Sequence, residues 1–194
     1  MDSKSLATVG FVTSHGYLVA GILPTSIAFP CLAMALLETE VTVPDDILFQ
    51  CFMDSISVHE LSIMKDAMSE VKHQLPSFSA VVKDGVLALF SQFNCRQIPT
   101  LATIEKMVIN LAKYEFLSKP AAAVMVLHKG IPKLHLSFWT KIGVKDLYAI
   151  YNTLSVFTAM VQKMVEEAEG RIQSEERILS HRRLQGQAMR AMSY

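Results

Sequence analysis

The chain has 194 residues, 51% of them hydrophobic and only 19% charged, with 18 basic side chains balancing 18 acidic ones. A chain of this length buries roughly 70% of its unfolded surface, ample for one domain core and short for two. Disorder of the body is excluded by the apolar content, and zero net charge leaves no global field to hold a phosphate backbone, so nucleic acid is not an expected partner.

Soluble domains typically carry about 25% charged residues, and the shortfall here sends apolar surface either into a membrane or against another protein. The membrane alternative has one candidate. Ser5 to Leu37 contains no Asp, Glu, Lys or Arg, and Tyr17 to Leu37 is largely apolar and long enough to span. Pro24, Pro30, the polar pair Thr25 and Ser26, and His15 interrupt it, so the competing reading is a buried helix, a proline-marked turn and a second helix. A signal peptide fits poorly, because Asp2 and Lys4 open the chain and the apolar run starts late. Cys31, Cys51 and Cys95 are widely spaced with no CxxC, an odd count suited to a reducing compartment, and the expected localisation is intracellular, in the cytoplasm.

Beyond residue 40 the pattern is helical. Asp45 and Asp46 suit the start of a helix reaching Phe52, since carboxylates accept from the free amides of a first turn. Ser57-Val-His-Glu60 is a capping-box signature, and Leu61, Met64, Met68, Val71 and Leu75 recur every three or four residues, which predicts a helix over 58–75 ended by Pro76. Val82, Val86, Leu89, Phe90 and Phe93 predict a second over 79–93, weakened by Gly85. Pro99-Thr100 opens a third over 101–118, and Pro120 and Gly130 bracket a fourth over 121–128. Residues 131–139 read as a short aromatic loop with Trp139 as its core anchor. Helices over 144–154 and 158–169 follow, and then an Arg-rich tail, 170–194, expected to form a solvated helix. The expected fold class is mainly α, an irregular multi-helix lobe with little or no sheet, organised as a helical region over 1–169 and the tail over 170–194.

Chemistry is sparse in this pattern. There is no phosphate-binding glycine loop, no GxSxG elbow and no HExxH, and six dispersed histidines and three cysteines give no zinc spacing. No catalytic, cofactor-binding or metal-ligating residue is therefore assigned, and no cofactor is expected. Cys31 and Cys51 lie among apolar neighbours that raise a thiol's pKa, while Cys95 precedes Arg96, a potential activator. All three read as structural thiols.

Phe93-Asn-Cys-Arg-Gln-Ile-Pro-Thr100, followed by Ile109-Asn-Leu-Ala-Lys-Tyr-Glu-Phe-Leu-Ser-Lys-Pro120, resembles the N-terminal lobe of a divergent group of HECT-type ubiquitin ligases. In that group a CR-x-x-PT loop leads into a helix ending A-x-x-E-[FL]-[IL]-x-[KE]-P. His15-Gly-Tyr-Leu-Val-Ala-Gly-Ile-Leu-Pro24 with Phe29-Pro30 is similar to an early helix and proline turn of the lobe, and Phe138-Trp139 with Leu147-Tyr148 to the stretch before its hinge. The likeness spans roughly residues 10–169. It implies a ubiquitin-protein transferase region with a ubiquitin-conjugating enzyme as partner. The catalytic cysteine of such ligases sits in a Thr-Cys-aromatic setting before a Leu-Pro pair, and no such setting occurs here. The resemblance thus implies a truncated or remodelled region that keeps the scaffold and is inactive as an isolated chain. The alternative is a helical interaction protein anchored in a membrane through residues 17–37, and on either reading the exposed apolar surface is expected to pack against another protein.

Overall fold

A computed structural model of the chain describes residues 2–37, 41–158, 160, 163 and 164, and it divides into two units after Ala149. The expected boundary between 169 and 170 and the Arg-rich tail lie outside the described residues. The protein is mainly helical, with no strand among the described residues. The first unit contains α1 (Ser3–Ala20), α2 (Phe29–Leu36), α3 (Asp45–Ser55), α4 (Val58–Lys72), α5 (Ala80–Gln92), α6 (Ile104–Lys113), a π-helical turn over Tyr114–Ser118, α7 (Ala121–Lys129) and α8 (Lys133–Trp139). Residues 144–149 are also helical. In the second unit residues 150–158 are helical, with Val156, Phe157, Met160 and Met164 exposed.

Local chemistry sets the helix ends. The Asp2 carboxylate accepts from the Ser5 amide at 2.7 Å and starts α1, and Gly21 stops it with φ of 68°, a conformation that costs glycine little. At α4 the capping box forms as expected. Ser57 N–H donates to Glu60 Oε2 at 2.8 Å and Glu60 N–H donates to Ser57 Oγ at 3.3 Å, and the Ser57 hydroxyl, then its amide, hold the Glu60 carboxyl below its ordinary range. Gly85 does not interrupt α5. A Cβ there would stand 2.9 Å from Ile63 Cγ2, so the missing side chain lets α5 close on α4.

Residues 17–37 form the last turn of α1, a connection through Pro24, and α2. Among the described residues no helix is long and apolar enough to cross a membrane. Seven of the eight residues of α2 are buried, and Phe29, Leu32 and Leu36 are 1% exposed or less, because α2 is covered by α7, α3 and the π turn. The α2 part of the apolar run that suggested a span lies in the core, while Leu18, Val19 and Ile22 at its start are exposed.

The expected loop over 131–139 is largely helix. Pro132, with ψ of 145°, holds the extended N-cap position, and the amides of His135 and Leu136 both bond back to its carbonyl, starting α8. Trp139 is fully buried at the end of α8, tilted against Tyr17 (ring centroids 5.0 Å apart) and edge-on to Phe138 (5.1 Å). Its Nε1–H donates to Ser14 Oγ of α1 at 2.8 Å, and Ser14 is fully buried as well.

The closest helix crossing is that of α1 and α7, which run antiparallel. A Cβ on Gly10 would overlap the Leu127 carbonyl, and one on Gly130 would overlap the Ala7 carbonyl. Two bare backbones, one on each helix, permit this approach. Gly10→Ala and Gly130→Ala should each destabilise by about 1–3 kcal/mol, because the obstructing atoms are main chain and cannot rotate away. Gly16→Ala, with no atom nearer than 3.6 Å, should be neutral or stabilise by up to about 1 kcal/mol. Chemical denaturation of the three variants checks both signs.

Trp139→Ala should cost about 3–5 kcal/mol, and Ser14→Ala about 1–3 kcal/mol by leaving the indole N–H buried without an acceptor. Blue-shifted, poorly quenched fluorescence of this single tryptophan in the folded chain, measured beside the two unfolding curves, is the check.

Candidate functional site

All three cysteines are free and half-buried. Cys31 opens α2 beside Pro30, and its Sγ–H donates to the Phe116 carbonyl at 3.2 Å, inside the π turn. Burial pushes its pKa up, as its apolar neighbours led one to expect. Cys51 on α3 is pushed up to about 12, first by burial and then by the negative potential of Asp54 and of Cys31. These two thiols are protonated at neutral pH and poor nucleophiles. Cys95 bonds through its backbone N–H to the Phe90 carbonyl at 3.0 Å, closing the end of α5. The three side chains form no metal cluster, and no group of three metal-ligating residues occurs among the described residues.

Three residues of the segment carrying the resemblance, Ile98, Pro99 and Thr100, line one wall of a surface groove. The α4–α5 and α5–α6 connections face each other across a groove of about 280 Å3, walled by Pro76, Phe78, Ile98, Pro99 and Leu101, with Ser77, Thr100 and Lys83 supplying its polar groups. Both connections leave their helices in the same way. Gln74 (φ 51°) and Asn94 (φ 56°) take the left-handed conformation, and Leu75 and Cys95 bond back to the carbonyls of Glu70 and Phe90. Glu70 Oε2 then accepts from the Ser79 amide at 3.0 Å, tying the start of α5 to α4. On the other wall the Thr103 hydroxyl accepts from the Thr100 amide at 3.0 Å, and Thr103 and Ile104 N–H both donate to the Thr100 carbonyl. The groove rim is therefore braced by backbone bonds, while Ile98 stands mostly exposed above it.

The groove was not visible from the sequence, because its walls come from two connections more than twenty residues apart; the paired Pro76 and Pro99 were its only local signal. A second void, of about 10 Å3, lies between α1, α2 and α7 among Gly10, Leu32, Ala35 and Leu127, and holds at most one water. No protein-family model matches this chain, and no curated protein and no solved structure matches it either.

The thiol chemistry gives a direct test. At neutral pH, folded protein should alkylate with iodoacetamide at Cys31 and Cys51 at least tenfold more slowly than unfolded protein, and the rate should rise with pH as the thiolate fraction grows. Peptide mapping by mass spectrometry at several pH values reads each site separately.

Proposed function

We propose that this chain is a HECT-like helical lobe that docks a ubiquitin-conjugating enzyme without accepting ubiquitin itself. The observation that carries the reading is the braced groove whose one wall is the Ile98-Pro99-Thr100 connection, within the segment that most resembles those ligases, and whose other wall adds Pro76, Phe78 and the Lys83 cation. Docking needs only such a surface, whereas thioester relay needs a thiolate placed for attack on the incoming thioester. Cys31 and Cys51 are held as neutral thiols by burial, and Cys95 lacks the sequence setting of the family's nucleophile.

The test is a pulse of ubiquitin-charged conjugating enzyme, run on a non-reducing gel beside Cys31→Ser, Cys51→Ser and Cys95→Ser. The wild type should show no reductant-sensitive ubiquitin adduct. It should bind at least one charged enzyme of a panel, and Ile98→Glu should weaken that binding about tenfold, since a charge at an interface centre costs more than 1 kcal/mol. An adduct lost in one cysteine variant alone, or the absence of binding to every member of the panel, overturns the reading.

A further inference from the structure

Charge and exposed apolar surface are distributed unevenly between the two halves of the first unit. No Asp or Glu occurs from residue 3 to 37 or from 116 to 145, the segments that build α1, α2, α7 and α8, and these segments carry six lysines: Lys4, Lys119, Lys129, Lys133, Lys141 and Lys145. Residues 41–115, which build α3 to α6, hold nine acidic and six basic side chains. The protein is neutral as a whole and strongly polarised within.

The cationic half also carries the exposed apolar side chains that lie together. On α1, Phe11, Val12, Leu18 and Val19 are exposed, the pairs Phe11/Leu18 and Val12/Val19 seven residues apart along one side, and Ile22 is exposed just beyond the helix end. On α8, Leu134 (80% exposed) and Phe138 stand one turn apart on the outer side. The two sets are joined, because Phe11, His15 and His135 stack across the α1–α8 contact at centroid distances of 5.3, 5.7 and 6.1 Å, and Tyr17 meets Phe138 at 6.2 Å. Lys133 precedes Leu134 directly and Lys141 follows Phe138 by three residues, so exposed ammonium groups flank the α8 part of the patch. Lys4 stands on the first turn of α1, one turn before Ala7, which meets Gly130, and Lys129 adjoins that glycine.

We infer that the α1–α8 face docks the protein on an anionic lipid bilayer, lying in the headgroup region without crossing it. Aliphatic and aromatic side chains on the outer side of the helices, flanking lysines and no carboxylate within α1 or α8 are what such a surface selects, although Asp2 caps α1 and Lys119 is paired with Glu115. The acidic α3–α6 half is repelled by the same lipid and orients the molecule with that half toward water. The groove of Pro76 and Pro99 has no residue in this face, so the inference stands or falls separately from the conjugating-enzyme reading.

The experiment is co-sedimentation of the full chain with vesicles of phosphatidylcholine alone or with phosphatidylserine added as about one lipid in three, at low and high salt. Binding to the anionic vesicles should be at least tenfold tighter than to the neutral ones and should weaken with salt. Val19→Glu with Leu134→Glu, both at exposed positions, should lower it at least tenfold, and Lys133→Glu with Lys141→Glu should do the same. Val58→Glu with Val81→Glu, equally exposed on α4 and α5, should leave it unchanged, and thermal melts of all variants confirm folding. Replacing Arg171, Arg177, Arg182, Arg183 and Arg190 by Gln tests the basic tail, and anionic-vesicle binding should survive it. Failure to bind anionic vesicles, equal binding to both compositions, binding lost with the tail arginines, or a Val19→Glu/Leu134→Glu variant that binds like wild type each overturns the inference.

Discussion

The reciprocal glycine contact between α1 and α7 is the constraint on which the rest of the first unit depends. Gly10 admits the backbone at Leu127, and Gly130 admits the backbone at Ala7. Each helix therefore meets the other main chain to main chain, at the distance where dispersion contacts are densest. Everything that packs on that pair inherits its spacing. Leu127, Val124, Met34 and Ala35 form a tight cluster with Leu6, Val9 and Cys31 around them only because α7 lies this near α1. The chain leaving Gly130 at that position turns through Pro132 into α8, which carries Trp139 back over α1 to Ser14.

Polar groups fix the register that apolar packing leaves free. Dispersion tolerates small slides of one helix along another, whereas a buried donor tolerates almost none. Trp139 Nε1 has Ser14 as its acceptor. His128 Nδ1–H donates to the Ala35 carbonyl at 2.8 Å, satisfying one of the last carbonyls of α2, which have no partner inside their own helix. Cys31 does the same service for Phe116 in the π turn, where the Lys119 amide reaches back five residues to Tyr114 at 2.8 Å. The exposed Lys113–Asp45 pair at 2.7 Å between α6 and α3 adds little by comparison, because water screens it. The half-buried thiol of Cys31 thus has a structural use, because its proton is engaged by the Phe116 carbonyl.

What the sequence revealed follows from the range of each interaction. Ser57 and Glu60 are three residues apart and their capping box was readable, as were the stripe from Leu61 to Val71 and the raised pKa implied by the neighbours of Cys31. The burial of Trp139 was readable from its type, but its partner was not, since Ser14 is 125 residues away and nothing local marks it. Gly85 looked like a weakness in α5 because propensity sees only the helix it sits in. Its reason lies on α4, in Ile63. Gly10 and Gly130 were invisible for the same cause, each meaningless without the other helix. The helix over 133–139 was missed because seven residues are too few to establish a period, and Pro132 reads equally well as a loop or as a helix start.

The distribution of charge, by contrast, was present in the sequence and became meaningful only with the fold. Two acid-free segments, 3–37 and 116–145, are far apart in the chain, and neither alone distinguishes a core from a binding face. Folding brings them together as α1, α2, α7 and α8, and then sorts their apolar residues. Phe29, Leu32 and Leu36 go inside on α2, while Val12, Val19 and Ile22 stay outside on or just beyond α1. Charge is thinnest in residues 3–37, where Lys4 is the one charged side chain, whereas residues 41–115 carry 15 charges in 75 residues, close to the 19% of the whole chain. A protein with uniformly poor solvation would aggregate without direction. One that gathers a joined apolar patch on a lysine-flanked face, opposed in sign by the α3–α6 half, associates through that face, and this leaves the α4–α6 groove on elements the lipid face does not use.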